Sequence, residues 1–96
     1  MAQVNVVATV VARPGREKEL AGLLLGLVTA SRRDAGCLSY HLHRALDNAC
    51  EFVFQETWES PELLEDHKNA PHFQEFLGKS RELVESLDVK LLEKID

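Results

Sequence analysis

A chain of 96 residues is one domain, and an isolated copy of that size buries only about 60–65% of the surface its unfolded form exposes. With 45% hydrophobic and 28% charged residues the composition excludes a disordered chain. The net charge of -5 excludes nucleic-acid phosphates as a sequence-independent partner, because that affinity needs clustered Lys and Arg. No apolar run of about 18 residues is present, so no membrane-spanning helix is expected. The N-terminus, Met1-Ala2-Gln3-Val4-Asn5, lacks the basic and apolar regions of a secretory signal. Two cysteines, Cys37 and Cys50, are too few for a disulfide framework, so reduced thiols and a cytoplasmic setting are expected.

The first element is a β-branched run, Gln3 to Ala12, closed by Arg13-Pro14-Gly15. From Arg16 the period changes, with Leu20, Leu23, Leu24, Leu27 and Val28 at helical spacing. Arg32 and Arg33 stand where they complement the helix dipole, and Gly36 supplies the stop. Cys37 to Leu46 alternates as a second strand, and Asp47-Asn48 marks a turn of two to four residues. Glu51 to Glu59 is a third strand. Ser60-Pro61 then opens a helix as N-cap and first helical residue, and this helix ends before Pro71. A last helix carries Phe73, Phe76, Leu77, Ser80, Leu83, Val84 and Leu87 along one side, and Val89 to Ile95 closes as a fourth strand.

The order β-α-β-β-α-α-β is that of an α+β, ferredoxin-like fold with an antiparallel sheet. Helices in this arrangement cover one sheet face, yet the strands have apolar residues at both parities, such as Val6 and Val10 against Val7 and Val11. An apolar second face needs a second cover, which predicts a homodimer with sheets face to face.

Several residues carry chemistry. Glu56 is a carboxylate on a strand face otherwise made of Phe52, Phe54 and Trp58. Burial would suit it to proton transfer, and the alternative is a structural ion pair with Arg44 or Arg13. His67 follows Leu63 by four residues, so it shares the inward side of its helix as a hydrogen-bonded core residue or a general base. His72 stands in the first turn of the last helix, a capping position or a substrate contact. His41 and His43 form a His-x-His that alone is a weak metal signal. Tyr40 has the opposite parity to that pair, and the hairpin register decides which of them faces the helices. No G-x-G phosphate loop and no Ser-His-Asp or Cys-His motif occurs, so no nucleotide or flavin cofactor is expected.

Arg13-Pro14-Gly15, Gly36-Cys37-Leu38-Ser39-Tyr40, the Glu56-Thr57-Trp58 triplet and Pro71-His72-Phe73 together resemble the antibiotic biosynthesis monooxygenase family, over about Val4 to Ile95. The resemblance implies a dimeric α+β barrel and a pocket bordered by Glu56 and Trp58 between the sheet and its helices. It implies a cofactor-independent monooxygenase acting on a quinol or polycyclic phenol, with His67 as first choice of base and Glu56 as second. Phe52, Phe54, Trp58, Phe73 and Phe76 are then pocket-lining candidates, and Tyr40, His43 and the Trp58 N–H are candidate donors. The haem-degrading branch of the family is excluded, because its Asn and axial His positions hold Ala8 and Leu77. Two other functions use the same scaffold: an isomerase of small hydroxyketones, and a non-catalytic binding or stress-response dimer.

Overall fold

The structure is a computed structural model that describes residues 2–96. Its elements are β1 (Val4–Ala12), α1 (Glu17–Ser31), β2 (Cys37–Arg44), β3 (Glu51–Trp58), α2 (Pro61–Asn69), α3 (Pro71–Ser80) and β4 (Val84–Leu92). The four strands form one antiparallel sheet in the order β2-β3-β1-β4, with the helices on one face. This is the expected ferredoxin-like α+β architecture. None of its helices is long and apolar enough to cross a membrane.

The core forms where strand alternation and helical period meet. Val6, Ala8, Val10 and Ala12 of β1 and Phe52, Phe54 and Trp58 of β3 are buried on the helix side, against Leu20, Leu24, Leu27 and Val28 of α1 and Leu64 of α2. Ser60 caps α2 as its sequence signals, its hydroxyl accepting from the Leu63 N–H at 3.2 Å, with Pro61 at the first helical position. Gly36 has φ +83°, and a Cβ there would run into the Leu63 side chain. Only glycine lets the chain turn from α1 into β2 under the start of α2. Arg32 does more than complement a dipole: its Nε–H donates to the Tyr40 carbonyl at 3.0 Å and ties α1 to β2.

Two boundaries differ from the sequence expectation. The last helix stops at Ser80 rather than continuing to Leu87, and β4 begins at Val84 rather than Val89. Leu83, Val84 and Leu87 have a spacing that suits a helix, but β1 offers unpaired backbone groups along its length, and Val84–Leu92 pairs with all of it from Ala12 to Asn5. The hairpin between β2 and β3 is also longer than a tight turn, running through Leu46–Cys50, where the Asn48 side chain accepts from the Cys50 N–H at 3.0 Å.

The sheet's other face is mixed. Val7, Val11 and Val53 alternate there with Asn5, Thr9, Gln55 and Thr57, all partly or largely exposed to solvent. The stronger apolar exposure is on β4, where Leu87, Val89 and Leu91 are 56%, 50% and 58% exposed. These residues pair with Val10, Ala8 and Val6 and so share the helix-facing side. The helices cover the β3 and β1 part of that side and leave the β4 part open.

Candidate active site

The register of the β2–β3 hairpin settles which side chains meet. Tyr40 lies opposite Glu56, Leu42 opposite Phe54 and Arg44 opposite Phe52, all on the helix side. A bulge between Cys37 and Ser39 leaves Leu38 exposed while Tyr40 is buried. His41 and His43 pair with Gln55 and Val53 on the opposite face. His43 is therefore outside the pocket of its own chain, with its Nδ1 at 3.4 Å from the Val53 carbonyl. Neither His41 nor His43 reaches the other histidines from there.

Between the sheet and α1, α2 and α3 lies a cavity of about 110 Å³. Phe54, Phe73, Phe76, Leu27 and the β4 residues Val89 and Leu91 give it apolar walls, and Tyr40, Glu56 and His67 bring its chemistry. Phe52 is not among its lining. It is buried at the end of β3 away from Trp58, opposite Val10, with the Arg44 guanidinium over its ring at 5.3 Å from the centroid. Arg44 is thus occupied with an aromatic face, and it does not pair with Glu56.

The partner of Glu56 is Trp58. The indole Nε1–H donates to the carboxylate at 2.9 Å, and both side chains are buried. Alternate residues on one strand face meet in this way because strand side chains repeat every two residues. Trp58 is fully buried behind the cavity wall, and its N–H is committed to Glu56 rather than free for a substrate. Its ring stacks on His67 with centroids 4.5 Å apart and a 34° tilt. Burial raises the Glu56 carboxyl to about 7, against the lowering effect of the Trp58 hydrogen bond. Burial also pushes the Tyr40 phenol well above its ordinary range, and the nearby Glu56 charge adds to this.

His67 is fixed on its other edge by a residue the sequence reading did not single out. Its Nδ1 is 2.7 Å from Oδ2 of Asp34, in the loop that follows α1. The same oxygen is 2.9 Å from Nε2 of His72. A carboxylate only accepts, so both imidazoles present N–H groups to it, and in neutral His67 the unprotonated nitrogen is Nε2. Burial lowers the basicity of His67, while the Asp34 hydrogen bond and charge act in the opposite sense. His72 lies outside the cavity, in the α1–α3 cleft with Gly26 and Glu75. Asp34 looks like an ordinary polar residue after a helix. The one signal in the sequence was indirect: an inward histidine in the last turn of α2 requires a hydrogen-bond partner.

The chain and its fold match those of known proteins. The model of the family described as antibiotic biosynthesis monooxygenase matches residues 3–79. The chain belongs to the antibiotic biosynthesis monooxygenase family. Among curated relatives, a protein of Mycobacterium tuberculosis (Rv0793), named as a candidate monooxygenase, is 32% identical over 81 residues, covering 84% of this chain and 79% of its own. YcnE of Bacillus subtilis, named in the same way, is 31% identical over 78 residues, 80% of this chain and 82% of its own. Among solved structures, PA3566 of Pseudomonas aeruginosa superposes with a TM-score of 0.95 at 31% identity, covering 100% of this chain and 97% of that one. The Rv0793 structure gives 0.93 at 30%, with 99% and 97% covered. Nearly every element of the antibiotic biosynthesis monooxygenase scaffold thus has its counterpart here, β4 included.

Proposed function

We propose that this protein is a cofactor-independent monooxygenase that oxidises a quinol with O₂, working as a single-domain homodimer in the cytoplasm. The observation that carries the reading is the pairing of His67, oriented by Asp34, with a buried Glu56 on the wall of one apolar cavity. One group is set up to take a proton and the other to hold one near neutral pH, which is how environments separate base from acid.

In the proposed reaction the His67 Nε2 takes the phenolic proton, and the electron-rich anion passes an electron to O₂ without a metal or flavin. Recombination of the resulting radicals forms the carbon–oxygen bond, and His67 returns its proton to give a hydroperoxide. His67 then takes the ring C–H proton as the O–O bond breaks, Glu56 protonates the departing oxygen to water, and the proton on His67 restores Glu56. The balance is quinol plus O₂ to hydroxyquinone plus water, with one oxygen atom in each product. Phe54, Phe73 and Phe76 hold the ring in a dry environment, which spares the anion competing protonation by solvent. Tyr40 is the substrate-side donor from β2, since His43 faces away. The cavity of about 110 Å³, open on its β4 side, is smaller than the ~150 Å³ that holds benzene in an engineered apolar cavity. A single-ring quinol therefore suits it better than a polycyclic phenol, whose further rings would extend past Val89 and Leu91. The half-exposed β4 residues and the partly exposed Val7, Val11 and Val53 support a dimer that covers both.

Oxygen uptake by metal-stripped protein with a panel of quinols tests the reading. Uptake above autoxidation that falls in His67→Ala supports it, and no uptake with any quinol overturns it. A second reading, an isomerase of a small hydroxyketone, draws on the same acid–base pair and is separated by turnover that persists without O₂. Ligand-induced thermal stabilisation with no turnover in either assay would leave a binding protein.

A further inference from the structure

We infer that Asp34, His67 and His72 form a binding site for one divalent first-row transition-metal ion, at the junction of the α1–β2 loop, α2 and α3. The three donor atoms lie within 4.8 Å of one another and come from three separate segments of the chain. Both nitrogens converge on a single carboxylate oxygen, at 2.7 and 2.9 Å. Two donors at right angles around an ion with bonds of ~2.1 Å are about 3.0 Å apart, close to both nitrogen–oxygen separations here, and the two nitrogens, within 4.8 Å of each other, close in around the ion on binding.

The charge count agrees. Among the described residues no Lys or Arg lies within 4 Å of the Asp34 carboxylate, and its ion-pair partners are the two imidazoles alone. With neutral histidines the cluster carries one negative charge, complementary to a dication. Exposure is graded as a site of this kind needs. The side chains are 2% exposed at His67, 18% at Asp34 and 29% at His72. The buried end is packed between Trp58 and Phe73, and the open end admits water to complete the coordination. Two imidazoles with one carboxylate favour Ni²⁺ and Co²⁺ over Mn²⁺.

The inference does not rest on the oxygenase reading, but it bears on it. Coordination through Nδ1 places the His67 proton on Nε2, so the ion-bound form has no base at that position. Metal binding and base catalysis by His67 exclude each other.

The test is calorimetric titration of the chelator-stripped full chain with Ni²⁺, Co²⁺ and Mn²⁺, in the absence of any substrate. We expect one ion per chain and the order Ni²⁺, Co²⁺, Mn²⁺ in falling affinity. His72→Ala, at the most exposed ligand, should weaken Ni²⁺ binding by ~10-fold or more, while the double variant His41→Ala/His43→Ala should bind as the parent does. In the unsubstituted protein, Co²⁺ should shift the proton resonances of His67 and His72 far more than those of His41 and His43. No saturable binding, unchanged binding in His72→Ala, or shifts confined to His41 and His43 would each overturn the inference. Because no substrate is present, the site and the oxygenase activity can fail independently.

Discussion

The helix-facing side of the sheet has two halves that invert the usual relation between polarity and burial. Toward Trp58, where β3 and β2 run under α2, a carboxylate and an imidazole are buried to 7% and 3% exposure. Toward β4, Leu87, Val89 and Leu91 are apolar and half exposed. The closed half holds costly polar groups because each has a partner, Trp58 for Glu56 and Asp34 for His67. The open half leaves apolar surface uncovered because no helix reaches it. The proposed function accounts for the first half and the proposed dimer for the second, and the cavity lies where the two meet.

The largest effect expected from breaking this contrast is at Trp58. Trp58→Ala removes a fully buried indole and, with it, the N–H that donates to Glu56, at a cost of about 3–5 kcal/mol in chemical denaturation. Next is His67→Ala, which under the proposed function lowers the rate of oxygen uptake by about 100-fold, equivalent to about 2.7 kcal/mol in the barrier. Asp34→Asn should fall between His67→Ala and the parent, since it leaves the imidazole in place and loses its fixed orientation.

Glu56→Gln sharpens the contrast through pH. The carboxyl rises from 4.5 to about 7 on folding, so between those values the folded chain holds a proton that the unfolded chain has lost. Glu56 therefore takes stability away as pH rises through that window, and the loss is complete above it. Glu56→Gln, whose amide oxygen can keep the Trp58 hydrogen bond, should be more stable than the parent at pH 8 by on the order of 2–3 kcal/mol and nearly equal at pH 4.5. Thermal unfolding at the two pH values measures this. The smallest effect belongs to the open half: Val89→Ser should change monomer stability by under about 0.5 kcal/mol. Its visible consequence is in sedimentation, where it should shift the proposed dimer toward monomer at equal concentration.

Much of the scaffold was legible because local chemistry determined it. The β-branched run of β1, the leucine spacing of α1, the Ser60-Pro61 start of α2 and the Pro71 start of α3 each state their element in a few residues. The α3–β4 boundary was not legible, since Leu83, Val84 and Leu87 fit either period and pairing with β1 decided the matter. Of the site, Glu56 and His67 could be picked out as polar residues at inward positions. The role of Trp58 as the donor to Glu56, rather than a wall for substrate, required their side chains in place. So did the exclusion of His43 and Phe52, one by a hairpin register and the other by its place at the far end of β3 from Trp58.

The sequence by itself determined the periodicities, the caps and glycine turns, and hence the element order and the inward residues, because these are effects between neighbours along the chain. Only the tertiary structure brought Asp34 to His67 and His72, across 33 and 38 residues of chain. It alone left β4 uncovered, because contact between distant segments depends on how the sheet and helices close together, and no local pattern encodes that distance.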